Sequence, residues 1–226
     1  MRAVAPPKRC PVQPLDCASP MAPALTQELD EEPGEDHEDE LDSEESDASP
    51  TLAPEVRARR EAALRHVRSF GDPALRSRAL AVERFDVRLH DEIDHMGRLM
   101  RDCLGIGLAA TQLGVLHRVL VYRVESGSPV IGLVNPSVLW SGREKEIMEE
   151  GCLSLPGVHV DVDRPVYVRV GALSPDGDEL TIEASGLEAR VLQHEIDHLD
   201  GVLILDRTTR EQRKEAIRTL REATAD

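Results

Sequence analysis

The sequence is poor in aromatic residues and contains no long hydrophobic run. Its 226 residues include two phenylalanines, two tyrosines and one tryptophan. A surface that stacks nucleic-acid bases uses several aromatic side chains, so a base-stacking platform is not expected. No stretch approaches the length that spans a bilayer, and the first residues lack the apolar segment of a signal peptide. We therefore expect a soluble, cytoplasmic protein without membrane contact.

Cysteine is also scarce. The four cysteines are Cys10, Cys17, Cys103 and Cys152, and their spacing is not that of a disulfide framework. This agrees with a reducing, cytoplasmic compartment. Met21 is an alternative to Met1 as the start of the chain, and a start at Met21 would remove the first two cysteines.

Basic residues are missing from one long segment. No lysine or arginine lies between Arg9 and Arg57, and residues 28–47 hold thirteen of the 43 acidic residues. Such a segment repels itself and buries too little apolar surface to offset the entropy of ordering. We predict that residues 1–53 are a disordered acidic extension, which carries most of the net charge of −16, and that residues 54–226 form one folded domain.

The rest of the sequence mixes helical and strand patterns. Apolar residues recur at three-and-four spacing in 54–70, 86–103 and 186–199, which predicts helices. Residues 117–183 form short β-rich runs separated by turns, without regular alternation with helices. This pattern indicates an α+β fold with mostly antiparallel sheets. Because the helix at 186–199 is apolar over much of its circumference, we expect the sheets to pack around it, and a C-terminal helix follows.

The central helix contains the segment QHEIDHLDG, residues 193–201. His194 and His198 are four residues apart, so on a helix both imidazoles can reach one metal ion, and Glu195 lies where it can meet metal-bound water. A charged helix face that carries histidines by chance is the alternative. His90 and His95 are five residues apart in the preceding helix and are not expected to be ligands.

Two histidines do not complete a zinc or iron site. A catalytic site of this kind has three protein ligands and one position open to water. Cys152, in the segment EGCLSLPG, is the best candidate for the third ligand because a thiolate binds both metals. A small buried core residue is the alternative for Cys152.

A third motif is GIGLAATQLG, residues 105–114. It is not a dinucleotide-binding loop, because the third glycine of that fingerprint is missing and a helix precedes the motif. Its glycines instead allow the backbone to approach a substrate closely. Gln112 offers an amide donor that can stabilise an oxyanion.

Taken in order, GIGLAATQ, EGCLS and QHEIDH resemble the three signature motifs of the peptide deformylases. The segments GDPALR, LVNPSVL, ASGLEARVLQHEIDHLDG and LDR also resemble that family, and the likeness covers roughly residues 66–207, without the acidic extension. The resemblance implies a metal-dependent hydrolase that removes the N-terminal formyl group from the formyl-methionine of newly made polypeptides and releases formate. Its partners would be N-formylmethionyl peptides and nascent chains, and a monomer is expected.

The resemblance also implies the roles of individual residues. The metal ligands are Cys152, His194 and His198, and Glu195 is the general acid and base. The oxyanion donors are Gln112 and the backbone N–H of Leu153. The substrate-binding residues are Gly105, Ile106 and Gly107 beside the peptide, and Glu150, Leu187 and Val191 in the methionine pocket. An internal ion pair joins Arg164 and Asp197, with solvated surface charges as the alternative. The implied metal is Fe(II), and Zn(II) suits the same ligands.

Two positions differ from the pattern in some members of the family. His159 stands seven residues after Cys152, where some members have an arginine that holds the peptide. Arg190 occupies a position that is apolar in some relatives, and its long stem can still line the pocket.

Three alternatives remain open on the residues alone. One is a general metallopeptidase with an H-E-x-x-H motif, and another is a structural metal module with His159 as a fourth ligand. The third concerns the last helix, where basic residues recur at three-and-four spacing. This stripe could make a transient contact with the ribosome, but a solvated helix face is the preferred interpretation. These basic residues are Arg207, Arg210, Lys214, Arg218 and Arg221.

Overall fold

The computed structural model describes residues 52–222, which lie within one compact unit, Ala48–Asp226. The prediction for residues 1–53, and with it the choice of start and the cysteines Cys10 and Cys17, concerns residues outside the described part, except for residues 52 and 53. Among the described residues, no helix is long and apolar enough to cross a membrane.

Helices flank a central run of strands in the described chain. In order, the elements are α1 (Pro54–Leu64), α2 (Val87–Asp102), β1 (Gly107–Ala109), β2 (Val119–Tyr122), β3 (Ile131–Ser141), β4 (Lys145–Cys152), β5 (Leu155–Pro165), β6 (Tyr167–Leu173), β7 (Glu179–Ser185), α3 (Gly186–Leu199) and α4 (Arg210–Glu222). Short 3-10 helices lie at Pro73–Arg76, Ala110–Leu113 and Ile204–Asp206.

The strands form two antiparallel sheets. One sheet has five strands in the order β1-β2-β3-β6-β7, and β4 pairs with β5 in a separate hairpin. The predicted α+β class, the antiparallel sheets and the C-terminal helix are therefore confirmed. The patterns of the sequence do not predict β1 and β4, and the helix predicted at 54–70 ends at Leu64. There the backbone leaves the helix, and the N–H of Arg68 donates to the carbonyl of Gln112 at 2.7 Å.

The five-stranded sheet lies between α2 and α3. Successive side chains of a strand point to opposite faces, and β2 is buried on both. Val119 and Val121 belong to one apolar cluster with α2, whereas Leu120 belongs to another with Leu192 and other residues of α3. The hairpin β4–β5 has its own cluster, which includes α4 and the 3-10 helix at Ile204–Asp206. Helix α3 is thus the buried centre of the fold, as its apolar circumference predicts.

Two polar side chains fix the start of α2 and the segment that precedes it. The Asp86 carboxylate accepts hydrogen bonds from the N–H groups of Arg88 and Leu89 and begins α2. Asn135 has a φ of +52°, and its side chain bonds both backbone groups of Val82, accepting at 2.8 Å and donating at 2.9 Å. Asn135 therefore ties the segment before α2 to the sheet.

Replacing Asn135 with alanine should lower the free energy of unfolding by about 3 kcal/mol. The change removes both bonds to Val82, each worth about 1 kcal/mol, and places a Cβ without local hydrogen bonds in the left-handed region, which costs roughly 1 kcal/mol more. Urea denaturation of Asn135→Ala, Asn135→Gly and the wild type measures the two effects separately, since glycine relieves only the backbone term. An alanine variant as stable as the wild type would contradict this assignment.

Candidate metal centre and active site

Three predicted ligands meet at the end of the hairpin strand β4 and one face of α3. Each of Cys152, His194 and His198 offers one ligand atom, and these atoms lie within 4.8 Å of one another. The Cys152 Sγ lies 3.2 Å from the His198 Nε2. The cysteine reaches the helix because the register of β4 and β5 shifts between Gly151 and Cys152, which ends the regular ladder there. The predicted convergence is present.

This group of donors fits a divalent metal ion. One sulfur and two imidazole nitrogens are ligands that zinc and iron both accept. Beside them, the Glu195 Oε2 is buried without a hydrogen-bond partner among the described residues. A buried carboxylate oxygen without a partner is expected to face a bound water or ligand. Neither His159 nor His90 nor His95 belongs to this group, so the described residues offer no fourth protein ligand.

A buried carboxylate orients the first histidine. The Glu150 side chain accepts from His194 Nδ1 at 3.0 Å, from Arg164 Nε and Nη2 at 2.6 and 3.0 Å, and from Arg190 Nη1 at 2.8 Å. Burial alone would raise the pKa of Glu150, but the bonds from His194 and Arg164 lower that pKa to about 2. The bond to Nδ1 leaves the Nε2 of His194 for a metal, which is a common support of metal-bound histidine.

The network continues through the predicted internal ion pair. Arg164 Nη1 lies 2.8 Å from Asp197 Oδ2, and both residues are buried. Arg207 also donates to Asp197, through Nε at 3.1 Å. The chain of contacts from His194 through Glu150 and Arg164 to Asp197 therefore joins α3 to both strands of the hairpin.

The pKa values of the two histidines are shifted in opposite directions. Burial lowers the pKa of His194, but hydrogen bonds to Cys152 and Glu150 outweigh it and raise that pKa well above its usual value. Burial lowers the pKa of His198, and the neighbouring His194 lowers it further. The two rings lie 4.9 Å apart, so one proton on the pair opposes a second. A divalent cation would replace this proton as the positive charge of the site.

Glu195 lies in a closed space between α3 and β1. Burial raises the pKa of its carboxyl to about 7. A Cβ added to Gly107 would lie 2.8 Å from the Cγ and Cδ of Glu195, which is closer than real side chains come. A side chain at position 107 would therefore displace the Glu195 carboxyl group, which approaches the backbone of β1.

Gln112 is held with its amide nitrogen towards the site. Its Oε1 accepts from the Ala109 N–H at 2.9 Å, and its Nε2 lies 3.7 Å from the Cys152 Sγ and 3.4 Å from the Ser154 Oγ. The side chain is buried. Leu153 follows Cys152 directly in the turn between β4 and β5. Both predicted oxyanion donors thus come from segments next to the candidate ligands.

A cavity of about 450 Å³ opens onto this centre. The lining includes all six predicted substrate-binding residues, which are Gly105, Ile106, Gly107, Glu150, Leu187 and Val191. Arg190 also lines it, and its guanidinium donates to Glu150 and to the carbonyls of Val162 and Glu146. His159 lines the cavity too, and its Nδ1 lies 3.1 Å from the Glu149 Oε1.

Other residues that line the cavity carry no sequence signal for this position. Met148 lies on β4, a strand whose pattern gives no signal, and Arg60 and Leu64 reach the cavity from α1. Apolar periodicity finds the buried face of α1 but not the element against which it packs.

Comparison with known proteins places the chain in a family. The model of the family described as "Polypeptide deformylase" matches residues 64–214. The chain belongs to this family. It is 43% identical over 160 residues to a peptide deformylase of Parafrankia sp. (strain EAN1pec), covering 71% of this chain and 87% of that protein. It is 45% identical over 148 residues to one of Clostridium botulinum, covering 66% of this chain and 99% of that protein.

Solved structures of deformylases share the fold. A peptide deformylase from Legionella pneumophila superposes with a TM-score of 0.67 at 38% identity, covering 70% of this chain and 94% of that one. One from Synechococcus elongatus in complex with actinonin gives 0.66 at 38% identity, covering 68% and 85%. Because the family match begins at residue 64, nearly all of α1 lies before the conserved deformylase segment.

Gly107→Ala should displace Glu195 and disable a deformylase site while leaving the metal ligands in place. We expect formate release from a formylmethionyl peptide to fall at least about 100-fold, because the proton-transfer group moves, with metal content close to that of the wild type. Gly97→Ala is the control, since its added Cβ meets only the Val130 side chain, at 3.2 Å, away from the site. Wild-type turnover in Gly107→Ala would show that this contact does not constrain Glu195.

Glu150→Gln should weaken both metal binding and stability. Buried Arg190 loses its carboxylate partner and buried Arg164 keeps only Asp197, for an expected loss of about 3 kcal/mol in the free energy of unfolding. His194 loses its carboxylate support, for a metal affinity roughly 10- to 100-fold lower. Chelator competition and urea denaturation measure the two effects. The neighbouring Glu149→Gln is the control because Glu149 is 66% exposed and pairs only with His159 among the described residues, and equal losses in both variants would refute the role of Glu150.

Proposed function

We propose that this chain is a metal-dependent amidohydrolase that removes the formyl group from the N-terminal formyl-methionine of newly made polypeptides and releases formate. The observation that carries the proposal is the convergence of Cys152, His194 and His198 beside Glu195 in a deformylase fold. A general metallopeptidase with the same helix motif is not favoured, since the family match and the named relatives are all deformylases.

Cys152, His194 and His198 would hold the metal, on the evidence of their donor atoms and mutual distances. Such an ion, when bound, supplies a Lewis acid and a water of lowered pKa. We propose Fe(II) as the working metal because of the family resemblance, with Zn(II) as the alternative that the same donors accept. Glu150 would keep His194 in the orientation that this requires.

Glu195 would move the proton of the hydrolysis. It accepts a proton from the attacking water as the oxygen bonds to the formyl carbon, and passes it to the nitrogen as the C–N bond breaks. Two features of the site support this role: the Oε2 has no partner among residues 52–222, and burial raises the pKa of the carboxyl to about 7. A group with a pKa near the working pH both accepts and donates, which is worth roughly 100- to 10,000-fold in rate.

Gln112 and the backbone N–H of Leu153 would donate to the carbonyl oxygen as negative charge develops there. The buried position of the Gln112 amide and its bond from Ala109 support a fixed donor. A donor placed in this way typically contributes about 3 to 4 kcal/mol to the barrier.

The cavity would hold the methionine side chain and the start of the peptide. Leu187 and Val191 of α3 offer apolar surface, and Gly105, Ile106 and Gly107 form the backbone beside the peptide. A formyl carbon bears only hydrogen, so we propose that a narrow site at the metal rejects the larger acetyl group. Cleavage of acetyl-methionyl peptides at the same rate as formyl peptides would contradict this steric account.

The partners would be N-formylmethionyl peptides and nascent chains, and the protein would act as a cytoplasmic monomer. We propose a solvated face rather than a ribosome contact for α4. Arg218 pairs with Glu215 and Glu222, and Arg207 pairs with Asp197, so part of the basic stripe is already neutralised. We also propose that residues 1–53 are an extension outside the catalytic domain, 54–226, which the start of the family match at residue 64 supports.

The decisive experiment is formate release from formyl-Met-Ala-Ser. Protein purified without oxygen is reconstituted separately with Fe(II) and Zn(II), and Glu195→Gln is assayed beside the wild type with its metal content measured. We expect turnover with at least one metal and a loss of 100-fold or more in the metal-loaded variant. Metal-loaded wild type that releases no formate but cleaves internal peptide bonds would establish the peptidase alternative.

A further inference from the structure

Helix α1 adds a cation to the rim of the substrate cavity. The family match begins at its last residue, Leu64, yet Arg60 and Leu64 both line the cavity together with Leu104 and Gly105. Arg60 is half-buried, whereas Arg57, one turn earlier, is exposed and does not line the cavity. A segment outside the conserved deformylase core therefore contributes to the surface that the peptide must pass.

The guanidinium of Arg60 is anchored by one nitrogen. Its Nε donates to the carbonyl of Cys103 at 3.3 Å. Cys103 ends α2, and the chain then turns through Leu104, whose φ is +60°, towards Gly105. The anchor fixes the plane of the guanidinium beside this turn and leaves both Nη groups for another acceptor. Among residues 52–222, Arg60 forms no salt bridge.

Apart from Glu195 at the catalytic centre, the carboxylates that line the cavity already have partners. Glu150 lies between Arg164 and Arg190, and Glu149 pairs with His159 at 3.1 Å. Arg60 differs from these residues because it lines the cavity without a carboxylate partner in the described part of the chain. A planar guanidinium with two free Nη groups matches a carboxylate in a bidentate geometry.

We propose that Arg60 selects substrates with an acidic side chain at one of the two residues that follow formyl-methionine. With the methionine side chain against Leu187 and Val191 of α3, the residues that follow would pass Leu104 and Gly105, which line the same cavity as Arg60. This inference rests on the proposed function. It makes Arg60 a specificity-determining residue, separate from the residues that carry the chemistry.

The test compares C-terminally amidated formyl-methionyl tetrapeptides, so that no terminal carboxylate competes for the arginine. Asp, Asn or Lys is placed at the second or third position, and kcat/KM for formate release is measured with the metal-loaded enzyme. We expect Asp to exceed Asn about fivefold at one position, mainly through KM, as for a partly solvated charge-assisted bond. The preference should shrink at about 0.5 M salt, which screens such a pair.

Arg60→Glu should reverse the order so that Lys exceeds Asp, and Arg60→Gln should abolish the preference. Arg57→Glu makes the same change of charge on an exposed turn of the same helix and should keep the wild-type order. Equal rates for all peptides, a preference that survives Arg60→Gln, or an equal effect of Arg57→Glu would overturn the inference while the deformylase function stands. No formate from any peptide would overturn the proposed function and this inference with it.

Discussion

The rest of the structure depends on one buried carboxylate that three cationic side chains surround. Glu150 of β4 binds Arg164 of β5 and both Arg190 and His194 of α3. Removing these charges from water is costly, and only a complete set of partners offsets that cost. Because Cys152 follows Glu150 by two residues on the same strand, the network also sets the position of the sulfur ligand relative to the two histidines. The geometry of the metal site is thus a consequence of charge compensation between the hairpin and the helix.

The same interior gives a second carboxylate the opposite character. Glu195 is as deeply placed as Glu150, but its Oε2 has no partner among the described residues, and burial raises its pKa to about 7 while that of Glu150 is near 2. Two carboxyl groups with pKa values so far apart are suited to different tasks at neutral pH. Glu150 stays charged and holds His194, whereas Glu195 can gain and lose a proton.

Periodicity and motif spacing predict the parts of this fold that local sequence determines. Apolar spacing of three and four residues predicts the helix at 186–199, and its two histidines lie four residues apart. The short β-rich runs separated by turns predict the antiparallel sheets. Strand β4 is not predicted, because nearly all its side chains except Glu150 are exposed and no alternation marks a buried face. Its pairing with β5 is a local hairpin, but the bonds from Arg164 and Arg190 to Glu150 join residues that are 14 and 40 positions apart. The family resemblance predicts that Glu150 lies in the methionine pocket, and Glu150 does line the cavity. No sequence pattern predicts its bond to His194.

The rim of the cavity is built separately from its centre. The candidate ligands and Glu195 lie on β4 and α3, which the buried network joins, while Arg60 contacts the end of α2 through a single bond to Cys103. Substitutions at the rim therefore leave the partners of Glu150 intact, and distant sites without shared partners act independently. A chain that extends its amino-terminal side can thus acquire a new preference for the emerging peptide at no cost to the geometry of the metal site.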